Sequence, residues 1–152
     1  MIKVLFICHG NICRSPMAQA VFQYLVDKNY LSQQFEIDSA ATSREEIGNA
    51  VHYGAQHILA QKQIPCPKHL ARQVTTADFE KFDFLICKDN NNLQNMHRQF
   101  PSLPKEKLSL LMDFTPNPHP IADPWYTGDF EETFRDVWEG CSHLFETLTK
   151  TK

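Results

Sequence analysis

The chain has 152 residues, the size of one domain able to bury a real core, and its 42% hydrophobic and 22% charged content is ordinary for a soluble globular protein. A net charge of −3 gives no general reason to expect nucleic-acid binding, and no apolar run approaches the ~20 residues that span a bilayer. Five cysteines are an odd count in a domain that needs no staples, and the N-terminus lacks the basic start and long apolar run of a signal peptide, so reduced thiols and a cytoplasmic location are expected.

Taken in order, Ile2 to Ile7 predicts a buried strand. The segment Cys8 to Arg14 is a loop, after which Ser15 suits a helix N-cap and Pro16 its first position. Met17, Ala20, Val21, Tyr24 and Leu25 then recur at helical spacing. Phe35-Glu36-Ile37 reads as a short strand, Ala50 to Gln61 as a helix and Phe84 to Cys87 as a buried strand. A helix near Asn91 to Arg98 and a strand near Leu108 to Leu111 follow. The Pro-rich stretch from Phe114 to Pro124 is a long loop, and long loops in compact domains are often functional. Phe130, Phe134, Val137, Trp138, Cys141, Leu144, Phe145 and Leu148 mark a last amphipathic helix whose stripe is core. The alternation of strand and helix implies a single-domain α/β sandwich of three layers over residues 1–152, with a central four-stranded parallel twisted sheet and helices on both faces.

In such sheets ligands bind beyond the carboxyl ends of strands, where Cys8 lies. The start of the following helix offers unpaired N–H groups and a positive dipole end to the loop. Gly10 lets the backbone turn and Asn11 tolerates a left-handed conformation, so successive N–H groups of His9, Gly10, Asn11, Ile12 and Cys13 can point inward as an anion nest. Arg14 adds a planar fork suited to phosphate oxygens. The same cradle favours a thiolate at Cys8, a nucleophile beside a bound phosphoryl group. Such a scheme needs a carboxylic acid to protonate the leaving oxygen. Asp123, at the end of the long loop and stiffened by Pro124, is the candidate, although Asp before Pro is also a common turn former.

The run Cys8-His9-Gly10-Asn11-Ile12-Cys13-Arg14-Ser15-Pro16 resembles the signature of the low-molecular-weight protein tyrosine phosphatases. Further blocks in family order carry the resemblance along nearly the whole chain: Asp38 to Ser43, Ile47-Gly48-Asn49, His69 to Gln73, Asp78 to Phe84 and Asp123-Pro124-Trp125-Tyr126. The resemblance implies hydrolysis of phosphotyrosine through a cysteinyl-phosphate intermediate, with acid phosphatase activity on small aryl phosphates. It assigns Cys8 as nucleophile, Arg14 as oxyanion clamp and Asp123 as acid and then base. No metal or other cofactor is called for, since the loop supplies the positive field. Expected partners are phosphotyrosine-containing proteins, with inhibition by phosphate-like oxyanions, and the protein is expected as a monomer or weak homodimer.

By the same resemblance Ser39, His69 and Asn92 support the loop through Asn11, Asp89 positions Arg14 or orients the leaving group, and Ser15 donates to the Cys8 sulfur. Glu45, Trp125 and Tyr126 line the substrate slot, and Cys13 traps oxidised Cys8 as a disulfide. Two positions depart from the common pattern: His9 follows the nucleophile, and Glu45 stands at a rim position usually aromatic. Ile12 with Trp125-Tyr126 leans toward phosphotyrosine over phosphoarginine, for which relatives tend to carry Thr at the position of Ile12. An arsenate reductase of the same fold is the other alternative; it needs a resolving pair of cysteines close in sequence, and Cys66 and Cys87 are far apart.

Overall fold

In the computed structural model, which describes residues 1–150, the side chains of the first strand, β1 (Ile2–Cys8), alternate between two cores. Val4 and Phe6 belong to one apolar cluster, Leu5 and Ile7 to the other, and all four are fully buried. A strand covered on both faces has to be apolar at successive positions, which is why this run does not alternate with polar residues. On either side lie β2 (Phe35–Ala41) and β3 (Phe84–Cys87), with β4 (Leu108–Leu110) at the edge. The four strands run parallel in the order β2-β1-β3-β4.

Helices supply the crossovers that parallel pairing requires. The first, α1 (Arg14–Lys28), joins β1 to β2; α2 (Tyr53–Gln61) and α3 (Thr76–Lys81) join β2 to β3; α4 (Asn90–Gln99) joins β3 to β4. A short helix, α5 (Pro124–Thr127), and the long α6 (Phe130–Thr149) complete the chain. Met17, Val21 and Phe22 of α1, Ile58 and Leu59 of α2 and Val137, Cys141 and Leu144 of α6 pack on the Val4–Phe6 face. Phe79 of α3 and Met96 of α4 pack on the Leu5–Ile7 face. Phe22 ties this together, its ring centroid 5.8 Å from Phe6, 5.5 Å from Phe35 and 6.0 Å from Phe145. The three-layer α/β sandwich expected from the alternation is the architecture observed.

Element ends differ from the expectations in instructive ways. Helix α1 begins at Arg14, with Cys13 at the N-cap and no side-chain cap; Ser15 is not the cap because its hydroxyl is engaged by Cys8 and Asn11. Strand β2 continues past Ile37 to Ala41, since polar Asp38 and Ser39 still pair with β1 in register. Helix α2 starts at Tyr53 rather than Ala50, because Ala50 bridges to Leu70 and His52 caps the helix by accepting from the Gly54 N–H. Leu111 leaves β4 to open a short 3₁₀ turn, Leu111–Phe114.

Candidate active site

Three loops converge beyond the carboxyl ends of the strands: the one leaving β1, the one leaving β3 and the one entering α5. The first wraps the Cys8 sulfur. Its backbone carbonyls point away, with Cys8 O accepting from Thr42 N, His9 O from Ser43 N and Ile12 O from His52 N. On the inner side Asn11 N and Ser15 N donate to Cys8 Sγ at 3.3 and 3.4 Å. Ser15 Oγ lies 3.0 Å from the same sulfur. Three polar groups of the loop and of the start of α1 thus converge on one sulfur.

The turn itself rests on Asn11, whose φ is 61°, not on Gly10, which is absent from the positive-φ residues. A Cβ at Gly10 would stand 3.3 Å from Glu46 Cγ, a tight contact with a side chain. Asn11 holds its left-handed conformation because its side chain, 1% exposed, is bonded on both ends. Nδ2 donates to Ser15 Oγ and Ser39 Oγ, while Oδ1 accepts from His69 Nε2 at 2.7 Å and from Arg72 N at 3.1 Å. Ser39 in turn donates to Gln19 Oε1 on α1. Ser39 and His69 are thus both bonded to the Asn11 side chain. Asn92 is not part of this network: its Oδ1 accepts from Lys88 N and its own N–H donates to Asp89, so it braces the β3–α4 loop.

Arg14 is held from the opposite side. Nη1 donates to Asp89 Oδ2 at 2.6 Å and to the Ile121 carbonyl at 2.8 Å, and Nη2 faces Asp123 Oδ2 at 3.5 Å. Burial opposes the guanidinium cation, but Cys8, Asp89 and Asp123 more than offset that, and its pKa is held above the ordinary value. Asp123 also caps α5, its Oδ1 accepting from Trp125 N, so the turn-forming role and the position beside Arg14 belong to the same residue. Ile121 was not foreseen; a contact made through a carbonyl leaves no trace in side-chain identity.

Around the mouth, Trp125 and Tyr126 are 59% and 83% exposed. Trp125 meets the edge of His52, which stacks on Phe130 and Tyr53. The two residues that depart from the family pattern pair with each other, His9 Nε2 lying 3.2 Å from Glu45 Oε2. Cys13 is buried beside Ile12 and Ala71, and burial and the neighbouring Cys8 charge push its thiol up to about 12. Cys87 and Cys141 are fully buried, as structural cysteines should be, and Cys66 is half-buried.

A donor-lined sulfur, an anchored guanidinium and a carboxyl group on one crevice define a thiol-dependent phosphatase. Comparison with known proteins agrees: residues 3–152 match the family model described as low molecular weight phosphotyrosine protein phosphatase. The human low molecular weight phosphotyrosine protein phosphatase is 42% identical over 142 residues, covering 91% of this chain and 88% of its own. YfkJ, a low molecular weight protein-tyrosine-phosphatase of Bacillus subtilis, is 38% identical over 154 residues, covering 100% of this chain and 99% of its own. The YfkJ crystal structure superposes with a TM-score of 0.93, at 37% identity over 97% of this chain and 94% of that one. A low molecular weight protein tyrosine phosphatase structure from Streptococcus pyogenes gives 0.88, at 38% identity over 100% and 95%. The chain belongs to the low-molecular-weight protein tyrosine phosphatase family, and it is an enzyme that acts through a cysteine nucleophile on phosphotyrosine and small phosphate substrates.

Proposed function

We propose that Cys8 is that nucleophile, Arg14 the clamp for the phosphoryl oxygens and Asp123 the proton donor and acceptor. Sulfur attacks phosphorus, the S–P bond forms as the P–O bond to the aryl group breaks, and the leaving oxygen takes the Asp123 proton. Water then attacks the phosphorus, gives its proton to Asp123, and the S–P bond breaks to regenerate the thiolate. The single observation that carries this reading is the convergence of Asn11 N, Ser15 N and Ser15 Oγ on one sulfur beside a guanidinium anchored by Asp89. A bound dianion would compete with Asp123 for Arg14 Nη2.

Phosphotyrosine on proteins is the substrate class we favour over phosphoarginine, because the exposed Trp125-Tyr126 pair offers apolar and stacking surface to a phenyl ring and the loop carries Ile12 where the resemblance gives phosphoarginine phosphatases Thr. Cys13, next to the anchored Arg14, is the partner we assign to oxidised Cys8: a sulfenic acid at Cys8 condenses with the Cys13 thiol to a disulfide and water. A thiol relay of the arsenate-reductase kind is disfavoured because Cys87 is fully buried within β3 and lies far in sequence from Cys66. We further expect competitive inhibition by phosphate-like oxyanions, a cytoplasmic location that keeps Cys8 reduced, and a monomer or weak homodimer.

The test is a panel of phosphotyrosine, phosphoserine and phosphoarginine peptides with the wild type and Cys8→Ser. Phosphotyrosine should turn over fastest, and Cys8→Ser should lose hydrolysis while still binding phosphate. Faster phosphoarginine turnover would reverse the reading of Ile12, and residual turnover in Cys8→Ser near the wild-type rate would exclude Cys8.

A further inference from the structure

Lys88 stands one residue beyond β3 and is 1% exposed. Strand alternation shows where it points. Phe84 and Ile86 of β3 face the α1–α6 core, as do Val4 and Phe6 of β1, and Cys8 and Lys88 follow them at even spacing. The β1–β3 ladder ends at the pair Ile7–Cys87, and Cys8 and Lys88 are the next residues along the two chains, on strands ~4.8 Å apart. The side chain lies along that face, Nζ donating to the Ile86 carbonyl at 3.1 Å and sitting 4.7 Å from the Phe6 ring centroid. An ammonium has three donors, and these contacts supply one hydrogen bond and one aromatic face.

Among the described residues no carboxylate pairs with Lys88; the Asp and Glu ion pairs go to other cations. The titratable groups whose charges act on it are Cys8 of β1, Arg14 of α1 and Cys141 of α6, together with Cys87, which lies on the opposite face of β3. Cys87 and Cys141 are pushed up to about 12 by burial and stay neutral. Arg14 is a like charge already shared by Asp89, the next residue in the chain, and Asp123. The anion left for Lys88 to face is the Cys8 thiolate.

We propose that Lys88 is a positioning residue for the nucleophile, its buried ammonium adding a fixed positive charge beneath the loop that favours ionised Cys8 before substrate binds. Burial pulls the amine down to about 8, which leaves it protonated through the neutral and mildly acid range in which the thiolate has to form. Its main chain belongs to the same machinery: Lys88 N donates to Asn92 Oδ1, and Lys88 O accepts from Ile121 N, whose carbonyl holds Arg14.

Lys88→Met keeps the length and the main-chain bonds and removes the charge. Alkylation of Cys8 by iodoacetamide, followed on the Cys8 peptide by mass spectrometry from pH 4.5 to 8, should have its acid limb moved upward by about one unit, roughly tenfold slower on that limb. Linkage is reciprocal, so in unsubstituted Lys88 the ¹³Cε resonance should titrate at higher pH in the wild type than in Cys8→Ser. That second measurement stands even where Lys88→Met fails to fold. Superimposable alkylation profiles, or one Lys88 midpoint in both proteins, would overturn the proposal. Neither readout involves a phosphorylated substrate, so both are independent of the substrate reading above.

Discussion

Single side chains in this site work through what they hold as much as through what they touch. His69 is the clearest case, with its imidazole on Asn11 and Ser39. Burial pulls its pKa below the ordinary value, Asp38 opposing and Arg72 adding to the effect. Between that lowered value and the unfolded one, ~6.5, the folded protein binds fewer protons than the unfolded chain. The stability that neutral His69 contributes is therefore full above about pH 6.5 and lost as pH falls through the folded value. The urea midpoint of the wild type should fall more between pH 7.5 and pH 5 than that of His69→Gln; equal falls would remove His69 as the cause. Glu45 belongs to the same scale. Its carboxylate reaches His9 but is itself largely exposed, so an acidic peptide still meets negative charge at the rim. Glu45→Tyr should raise kcat/KM for acidic phosphotyrosine peptides severalfold and leave p-nitrophenyl phosphate unchanged, and identical peptide rates in the two proteins would contradict this.

Among elements, the junction of α2, α5 and α6 sets one wall of the crevice. His52 is its hub: its N–H donates to Ile12 O in the loop, its Nδ1 caps α2, and its ring contacts Trp125 and Phe130. Gly54 makes room for this stack, since a Cβ there would fall within contact distance of the Phe130 ring. Gly54→Ala gains at most ~1 kcal/mol of helix propensity, against an overpacking cost of ~1–3 kcal/mol. The variant should be less stable in urea and should raise KM for aryl phosphates as Trp125 loses its support; unchanged values of both would show that the wall stands without the stack. His52 was not singled out from sequence because a histidine before a helix has many bland roles, and only the tertiary fold brings Trp125 and Phe130 to it.

For the whole molecule, apolar runs at Ile2 to Ile7 and Phe84 to Cys87 and the α6 stripe were enough to read a parallel sheet covered on both faces, because burial on two faces demands such runs. Cys8 and Arg14 are close in sequence and Asp123 lies in a marked loop, and the fold brings Asp123 to Arg14. What lay beyond reading were partners made by tertiary approach: the Ile121 carbonyl, Asn92 turned to Lys88 rather than Asn11, and the His9–Glu45 pair. Polar Asp38 and Ser39 concealed the length of β2, because sheet pairing ignores side-chain polarity where the loop network needs it. The proposed mechanism has sulfur attack phosphorus with Asp123 as the acid, and trapping the intermediate tests that most directly. Wild type and Asp123→Asn are mixed with ³²P-labelled phosphotyrosine peptide, quenched in acid within one turnover, digested and mapped. Label should appear on the Cys8 peptide of the wild type, and Asp123→Asn should form it ~10²–10⁴-fold more slowly. Label on another peptide, no label during active turnover, or equal rates of labelling in the two proteins would contradict the mechanism.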